Sequence, residues 1–385
     1  MTLHRLAFAV LLCVFGLAPP VFAEDFTAIL AAARAGTQVP AMAILVMRDG
    51  EIAGEAVQGL RRQDAAEPVR TGDVWHIGSD GKVFTATLIA KLVDQRTLSW
   101  DAPLSTLLPD LAAQMRPEYR SVTLLQLLAH RGGLEHDSSD WKLFEALYTD
   151  PRSLPEQRMA YIARALQEPP AVRPGTRPYY SNSGFIIAAA IAERATGSSY
   201  EDLVRHYVFD PLGMKSAQFG ITHGDEPLGH RDGKPVLASS DGHPQFAPPD
   251  GQQGNPLFYA PAGNMYLTMD DWAAFCLDQM KGANGQGKLL KTETYRLVQT
   301  PQGKRGMALG WAFQDSMRGH VGPVLLHTGS DGTWFAYAAL FPQTESGVLI
   351  VANAGKSMGG EKAVMKALKA VRPTVSPVKA PGPSD

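Results

Sequence analysis

The chain has 385 residues, of which 45% are hydrophobic and 19% are charged. This is the composition of an enzyme-sized globular chain that is long enough to form a large core in two lobes. Its 36 basic and 38 acidic side chains leave a formal net charge of −2, so charge provides no basis for binding nucleic acid or an anionic membrane surface.

The first 23 residues have the features of a secretory signal. His4 and Arg5 precede an apolar run at residues 6–17. Pro19 and Pro20 follow the run, and a small-residue cleavage site ends at Ala23. The run is too short to form a stable membrane anchor. We therefore predict a secreted or periplasmic protein that is cut after Ala23 and has no stable membrane span afterwards.

The chain contains two cysteines, and one of them, Cys13, lies within the predicted signal. Cys276 is then the only cysteine of the mature chain, which excludes an intramolecular disulfide. Because Cys276 lies in an apolar helical pattern, we predict that it is a buried core residue.

A helix and a β-hairpin are predicted directly after the signal. The helix spans residues 25–35, and the strands span residues 39–47 and 51–57. An Asp-Gly dipeptide joins the two strands, which is a strong hairpin signal.

Helical patterns dominate the middle of the chain, where Pro and Gly separate them. The clearest predicted helices span residues 123–129, 155–167, 184–195, 200–208, 269–280 and 292–299. Residues 220–255 lack periodicity and are rich in Gly, Pro, Asp and His, so we predict a long loop there.

Strand patterns return near the C-terminus and favour an antiparallel meander. They span residues 308–314, 323–327, 334–341 and 347–352, before a closing helix at 362–370. A Pro-rich tail at residues 373–385 is expected to be disordered.

Strands at both ends of the chain, with helices between them, predict an α/β (α+β) fold. We expect one antiparallel sheet, built from the N- and C-terminal segments and flanked by helices, with a mostly helical lobe inserted. The predicted catalytic domain spans residues 24–372. Its sheet lobe comprises about 24–95 and 300–372, and its helical lobe about 96–299.

Residues 75–90 contain the pair on which the predicted chemistry depends. Ser79 lies near the first turn of an apolar helix, and Lys82, three residues later, lies on the same face. A lysine that burial keeps partly neutral can accept the proton of a serine hydroxyl. The spacing is equally typical of a serine N-cap followed by a surface lysine, and this motif alone favours that structural role.

Two further motifs favour the catalytic role. They are Tyr180-Ser181-Asn182, before an apolar helix, and His327-Thr328-Gly329, at the end of a predicted strand. With Ser79-x-x-Lys82, they resemble the Ser-x-x-Lys, Tyr-x-Asn and Lys-Thr-Gly or His-Thr-Gly motifs of the penicillin-recognising serine hydrolases. The middle motif begins with Tyr180, and in this it resembles the class C-like branch of the family. That branch includes class C β-lactamases, D-alanyl-D-alanine carboxypeptidases, D-aminopeptidases and family VIII esterases.

The resemblance covers nearly the whole mature chain. Residues 122–134 resemble a helix-and-turn segment of the family, and residues 349–353 resemble its last strand, which ends in Asn. Residues 261–264 resemble its Pro-Ala-Gly-Gly turn, with Asn264 in place of the second glycine.

The resemblance implies the catalytic roles. Ser79 is the implied nucleophile, Lys82 and Tyr180 share the proton transfers, and His327 in the pocket wall bonds substrate or Tyr180. The backbone N–H groups of Ser79 and Ser330 form the implied oxyanion hole. The implied substrate-contacting residues are Asn182, Thr328, Gly329 and Trp334.

Simpler structural roles remain open for several of these residues. Asn182 is implied to bond Lys82 as well as the substrate carbonyl, but also suits a turn before a helix. Tyr180 and Trp334 could also be aromatic residues that only pack in the core. We interpret His130 and His136 as structural.

Two departures from the family pattern bear on specificity. Asp80 follows the nucleophile where the family usually has a small or apolar residue. It either raises the pKa of Lys82, or it points to solvent or caps the helix N-terminus. His327 stands where β-lactamases have Lys, which helps to hold the substrate carboxylate. A mostly neutral histidine favours esterase or peptidase activity over β-lactamase activity.

A metal site is the remaining alternative for the 220–255 loop. His223, His230 and His243 lie there among several aspartates, but no pair has the spacing of a helical zinc motif. We therefore interpret them as solvated loop residues, and expect no metal or organic cofactor.

The sequence thus predicts an exported serine hydrolase that acts through an acyl-enzyme on a short-chain ester, a D-amino-acid peptide or a β-lactam. The expected partner is a small-molecule or peptide substrate and not a nucleic acid, and the sequence sets no oligomeric state. The alternatives are a class C-type β-lactamase or a low-turnover penicillin-binding or sensing protein of the same fold.

Overall fold

The computed structural model describes residues 26–220, 222, 225–236, 255–303, 306–317, 320 and 322–375. The predicted signal at 1–23 lies outside these residues, as do residues 376–385 of the predicted tail. No helix among the described residues is long and apolar enough to cross a bilayer.

Eleven strands form three sheets within the described residues. They are β1 Ala41–Arg48, β2 Glu51–Gly59, β3 Val74–His76, β4 Gln218–Phe219, β5 His230–Arg231, β6 Lys234–Pro235, β7 Met265–Thr268, β8 Ala312–Gln314, β9 Val324–Gly329, β10 Phe335–Phe341 and β11 Ser346–Ala352. The main sheet has the order β2-β1-β11-β10-β9-β8, and every neighbouring pair is antiparallel. As predicted, both ends of the chain build it.

The central strands of the main sheet are buried on both faces. Ile44 of β1 and Ile350 of β11 are paired in register and belong to the apolar layer beneath the first and last helices. Leu45 and Leu349, the next pair, belong to the layer on the opposite face, towards the rest of the chain. Two-sided burial explains why β1 is a nearly continuous apolar run.

The helices, from α1 to α13, cover both faces of this sheet. They are α1 Thr27–Arg34, α2 Lys82–Asp94, α3 Leu104–Leu107, α4 Leu124–Leu128, α5 Trp141–Ala146, α6 Leu154–Ala165, α7 Asn182–Thr196, α8 Tyr200–Val204, α9 Asp210–Leu212, α10 Ala260–Gly263, α11 Met269–Ala283, α12 Thr292–Gln299 and α13 Gly360–Val375. α1 and α13 pack on one face, and α2 is buried almost all round, as expected of a helix that is apolar on every side.

Most predicted elements are found within a few residues of their predicted bounds. Asp49 and Gly50 turn the β1–β2 hairpin with positive φ angles of 49° and 78°, which explains the Asp-Gly signal. Cys276 is buried in α11, as predicted.

Three boundaries were wrong. α13 continues through residues 373–375 of the predicted tail, because Val375 is buried against the sheet layer. The predicted helix at 200–208 changes to a π-helix at Arg205–Phe209. The predicted strand at 308–314 begins only at Ala312.

Candidate active site

Ser79 lies in a tight 3-10 turn, Gly78–Gly81, between β3 and α2. Ser79 is partly exposed, whereas its neighbours Gly78 and Asp80 are buried. Gly78 has a φ of 52°, a conformation that glycine adopts without strain. The turn therefore presents one side chain, the Ser79 hydroxyl, at the surface of an otherwise buried segment.

Lys82 begins α2 and is fully buried. Its Nζ donates to Ser79 Oγ at 3.1 Å and also to the Ala262 carbonyl in α10. Burial lowers the pKa of Lys82 to about 7, although the charges of Asp137 and Asp80 act in the opposite direction. A substantial fraction of the amine is therefore neutral near pH 7 and able to accept a proton from Ser79.

Tyr180 precedes α7, and its hydroxyl is hydrogen-bonded to Ser79. Its ring lies with its centroid 4.9 Å from Lys82 Nζ. Burial raises the pKa of Tyr180 far above its usual value, despite the bond to Ser79. The phenol therefore stays protonated and can donate a hydrogen bond or a proton.

Two histidines hold the Tyr180 ring. His130 stacks on it with centroids 4.5 Å apart, and His136 lies on it at 5.4 Å. His130 is buried, and its Nδ1 accepts from the Ser181 N–H at 3.0 Å. Burial and the charges of Lys82 and other neighbours lower the pKa of His130 well below its usual value, so its ring is neutral. Both histidines thus position the phenol, a role that their separation from Tyr180 in the sequence concealed.

Asn182 is the first residue of α7, but it does not bond Lys82 within the described residues. Its Nδ2 lies 3.2 Å from both carboxylate oxygens of Asp137, which also accepts from the Tyr259 hydroxyl at 2.6 Å. Asn182 Oδ1 is buried and has no partner among the described residues, so it is an available acceptor in the site. The implied Asn182–Lys82 bond is thus replaced by a bond to Asp137.

Asp137 belongs to the site although no sequence motif predicted it. Burial would raise the pKa of this carboxyl, but bonds from His136, Tyr259 and Asn182 lower it overall, so it is anionic near pH 7. The available signal was the run of titratable residues Glu135-His136-Asp137 directly after a Gly-Gly turn.

The end of β9 forms the opposite wall of the site. A side chain at Gly329 would overlap the Ile77 carbonyl oxygen, and one at Gly78 would overlap the Ser330 nitrogen. The glycines therefore allow β9 to pack directly on the nucleophile turn, with the Ser330 N–H beside it. Thr328 and Ser330 are exposed next to this contact.

His327 faces Asp80 across this contact. Its Nδ1 lies 2.9 Å from Asp80 Oδ1 and 3.0 Å from the Thr328 carbonyl oxygen. Asp80 is only 1% exposed, which rules out the alternative that it points to solvent, and its charge acts to raise the pKa of Lys82, as the other alternative expected. Burial raises the pKa of Asp80, while His327 and Lys82 act to lower it.

Asn264 supports the nucleophile turn from behind. Its Oδ1 accepts from His76 Nε2 at 3.1 Å, and its Nδ2 donates to the carbonyls of Asn255 and Pro256. His76 Nδ1 in turn accepts from the Gly78 N–H at 3.2 Å. The amide that replaces a glycine of the family turn thus links α10 and β7 to the turn that carries Ser79.

Two further expectations were wrong. Trp334 is 1% exposed and packs edge-on against Trp75 at 6.1 Å, so its ring belongs to the core and does not line the pocket surface as expected. His230 is fully buried and not solvated, and it bonds the Asn353 carbonyl and the Gln63 N–H.

His223 and His243 of the considered metal site lie outside the described residues. No group of three or more His, Cys, Asp or Glu side chains suited to a metal occurs in the part of the chain that the structure describes.

Comparison with known proteins identifies the family. The family model described as Beta-lactamase matches residues 26–371. Penicillin-binding protein 4 of Amycolatopsis lactamdurans is 28% identical over 332 residues, which cover 84% of this chain and 83% of that protein. Esterase EstB of Burkholderia gladioli is 28% identical over 313 residues, or 75% of this chain and 76% of its own length.

A third relative and a solved structure agree with this assignment. The D-alanyl-D-alanine-carboxypeptidase/endopeptidase AmpH of Escherichia coli K12 is 23% identical over 328 residues, covering 82% and 80% of the two chains. The octameric penicillin-binding protein homologue from Pyrococcus abyssi superposes with a TM-score of 0.70 at 23% identity, over 90% of this chain and 77% of that one. The predicted fold class is confirmed, and the chain belongs to the beta-lactamase family.

Proposed function

We propose that this protein is an exported serine hydrolase that acts through an acyl-enzyme on an ester or amide. The observation that carries the proposal is the contact of Ser79 Oγ with a buried lysine whose pKa is lowered to about 7. A hydroxyl beside a partly neutral amine and a protonated phenol has both a base and a proton donor within reach.

In the acylation step, Ser79 Oγ attacks the substrate carbonyl while its proton passes to Lys82 Nζ. The negative charge on the former carbonyl oxygen is stabilised by the N–H groups of Ser79 and Ser330. Tyr180 donates a proton to the leaving alcohol or amine as the carbon–leaving group bond breaks, and the proton on Lys82 restores the phenol. Water then attacks the acyl-enzyme with the same groups in reverse roles.

His327 favours neutral substrates over β-lactams. It occupies the third-motif position without the permanent charge that a lysine would provide there. The named activities of the relatives, an esterase and a D-alanyl-D-alanine carboxypeptidase/endopeptidase among them, are compatible with this preference.

Labelling of the purified mature chain, residues 24–385, tests the proposal. We expect a fluorophosphonate to modify Ser79, and Ser79→Ala to lose both the label and the hydrolysis of p-nitrophenyl butyrate. Ser198→Ala is the matched control, because Ser198 is an exposed serine at the end of α7 and outside the site. Labelling or hydrolysis that persists in Ser79→Ala would overturn the proposal.

A further inference from the structure

Asp80 places a buried carboxyl group beside the nucleophile. Its Oδ1 lies 2.9 Å from His327 Nδ1, and both side chains are buried between the 3-10 turn and β9. Neither Asp80 oxygen has a hydrogen-bond partner of good geometry among the described residues, so its approach to His327 is a close polar contact and not a well-aligned hydrogen bond. The carboxylate therefore acts on its surroundings mainly through His327.

The contact determines which nitrogen of His327 is left for a substrate. The two atoms that approach Nδ1, Asp80 Oδ1 and the Thr328 carbonyl oxygen, are both acceptors, so Nδ1 carries a proton. Nε2 is then the only ring nitrogen free to bond a substrate. Any positive charge that the imidazole gains is paired with Asp80 before a substrate arrives.

Among the described residues, none of the other charged groups near Asp80 and His327 provides an unpaired positive charge that could bind a substrate carboxylate. Lys82, on the adjacent helix turn, is partly neutral, and it also interacts with Asp137 on the opposite wall. The other titratable groups around Asp80 and His327 are His130, which is neutral, and three groups that stay protonated because burial raises the pKa of each: Tyr180, Tyr337 and Cys276. A substrate carboxylate at the third motif would therefore meet the Asp80–His327 pair with no unpaired cation beside it in the described part of the chain.

We propose that Asp80 is a specificity-determining residue: by pairing with His327 it excludes substrates that carry a carboxylate next to the scissile bond. The preferred substrates are then uncharged there, namely neutral esters, amides and blocked or internal peptide bonds. This inference rests on the proposed function, because it concerns the substrate class of the same serine.

A matched pair of thioesters tests the inference. One is N-acetyl-D-alanyl thioglycolate, which has a carboxylate on the leaving group, and the other is its methyl ester, which has the same scissile bond and no charge. The ratio of kcat/KM for the two substrates is measured in the wild type, Asp80→Asn, His327→Lys and the double variant. A shared loss of active enzyme cancels in this ratio.

We expect the wild type to favour the neutral thioester by about tenfold or more in kcat/KM. The loss of one favourable charge-assisted contact with a substrate carboxylate is enough to change kcat/KM by about this factor. Asp80→Asn replaces the carboxyl group with a neutral amide and should narrow the preference. His327→Lys alone should narrow the preference less than the double variant does, because Asp80 then pairs with the new ammonium group. Only the double variant should favour the carboxylate, and this non-additivity measures the coupling of the two positions.

Controls separate failure of the inference from failure of the proposed function. Asp64→Asn removes an exposed, distant carboxylate and should leave the ratio unchanged; Asp80→Ala repeats the test if Asp80→Asn does not fold. Intact-mass spectrometry follows acylation of Ser79 by each thioester, so a protein with slow turnover still reports the ratio. The inference is overturned if the kcat/KM ratio is unchanged in Asp80→Asn and Asp80→Ala. It is also overturned if His327→Lys alone reverses the ratio as fully as the double variant does. Either result leaves the proposed serine hydrolase function intact. Absence of any Ser79 acylation overturns both.

Discussion

Lys82 Nζ lies 3.1 Å from Ser79 Oγ, three residues earlier in the chain. Because the 3-10 turn runs directly into α2, one short segment supplies both the nucleophile and its candidate base. The base is preorganised: its amine is buried, and the Ala262 carbonyl holds it from the other side. Burial of this amine has a measurable consequence for the dependence of the reaction on pH.

We expect kcat/KM for a neutral ester to rise with pH through a limb near pH 7. Lys82 has its pKa lowered to about 7 by burial, so below this pH the amine is protonated and cannot accept the Ser79 proton. A profile between pH 5 and 9 measures the limb, and Lys82→Met, with a similar buried stem, should be inactive throughout. Activity that is flat between pH 5 and 9 would show that Lys82 is not the base.

Tyr180→Phe should lower kcat by about 10²–10⁴-fold, the range for loss of one proton-transfer group. The ring itself remains packed against His130 and His136, so the thermal unfolding temperature should change little. Steady-state kinetics and thermal unfolding on the same sample test both parts. Turnover close to that of the wild type would make Tyr180 a packing residue and leave the proton transfers to Lys82 alone.

Much of the fold could be predicted from the sequence, because turns and the periodicity of helices and strands depend on residues that are close together in the chain. The β1–β2 hairpin follows from two strand-like segments, the first a nearly continuous apolar run, joined by an Asp-Gly turn. The segment after Ser79 is helical because its apolar residues recur with helical spacing. The end of α13 was missed because Pro373 is a strong breaker signal, whereas burial of Val375 depends on a distant sheet.

Side-chain partners were less predictable, since they depend on elements that are far apart in sequence. Asp80 was recognised as unusual, but its partner His327 comes from β9, and nothing near either residue indicates the pairing. Trp334 follows the third motif closely, yet the turn after β9 directs its ring inwards against Trp75. Motif order located the site, and packing decided which neighbours of the motifs face it.

Gly329→Ala should disrupt the site, because the added Cβ would overlap the Ile77 carbonyl oxygen and separate β9 from the nucleophile turn. We expect a loss of stability of about 1–3 kcal/mol, as for other overpacked positions, together with a fall in kcat. Gly81→Ala is a matched control between Ser79 and Lys82. Its φ of −59° is helical, and the nearest atom to an added Cβ is 3.5 Å away.

Chemical denaturation and ester hydrolysis of both glycine variants provide the measurements. Gly81→Ala should keep its activity and lose no stability, since alanine at a compatible backbone position often stabilises by about 0.4–1 kcal/mol. Equal losses in the two variants would mean that any side chain near the nucleophile is harmful, and would contradict the specific role given to the contact with Gly329.

Asp137→Asn should move the acidic limb of kcat/KM to lower pH. Among the charges that favour protonated Lys82, Asp137 has the largest effect, so removing it should lower the pKa of the amine further. Asn retains an oxygen that can accept the Tyr259 hydroxyl, but it weakens the hold on Asn182, so the plateau rate should also fall. The two effects are separable, because a purely structural role lowers the plateau without moving the limb.

Asp140→Asn is the control for the Asp137 variant, since it removes a carboxylate from the same segment. Asp140 caps α5 and pairs with the exposed Arg164, and Asn caps a helix as well as Asp does. Its limb should therefore remain where the wild-type limb lies. If the limb of Asp137→Asn stays in place or moves to higher pH, the Asp137 charge does not act on the group that limits the rate. The general base would then have to be a group other than Lys82, and one on which the Asp137 charge has no effect.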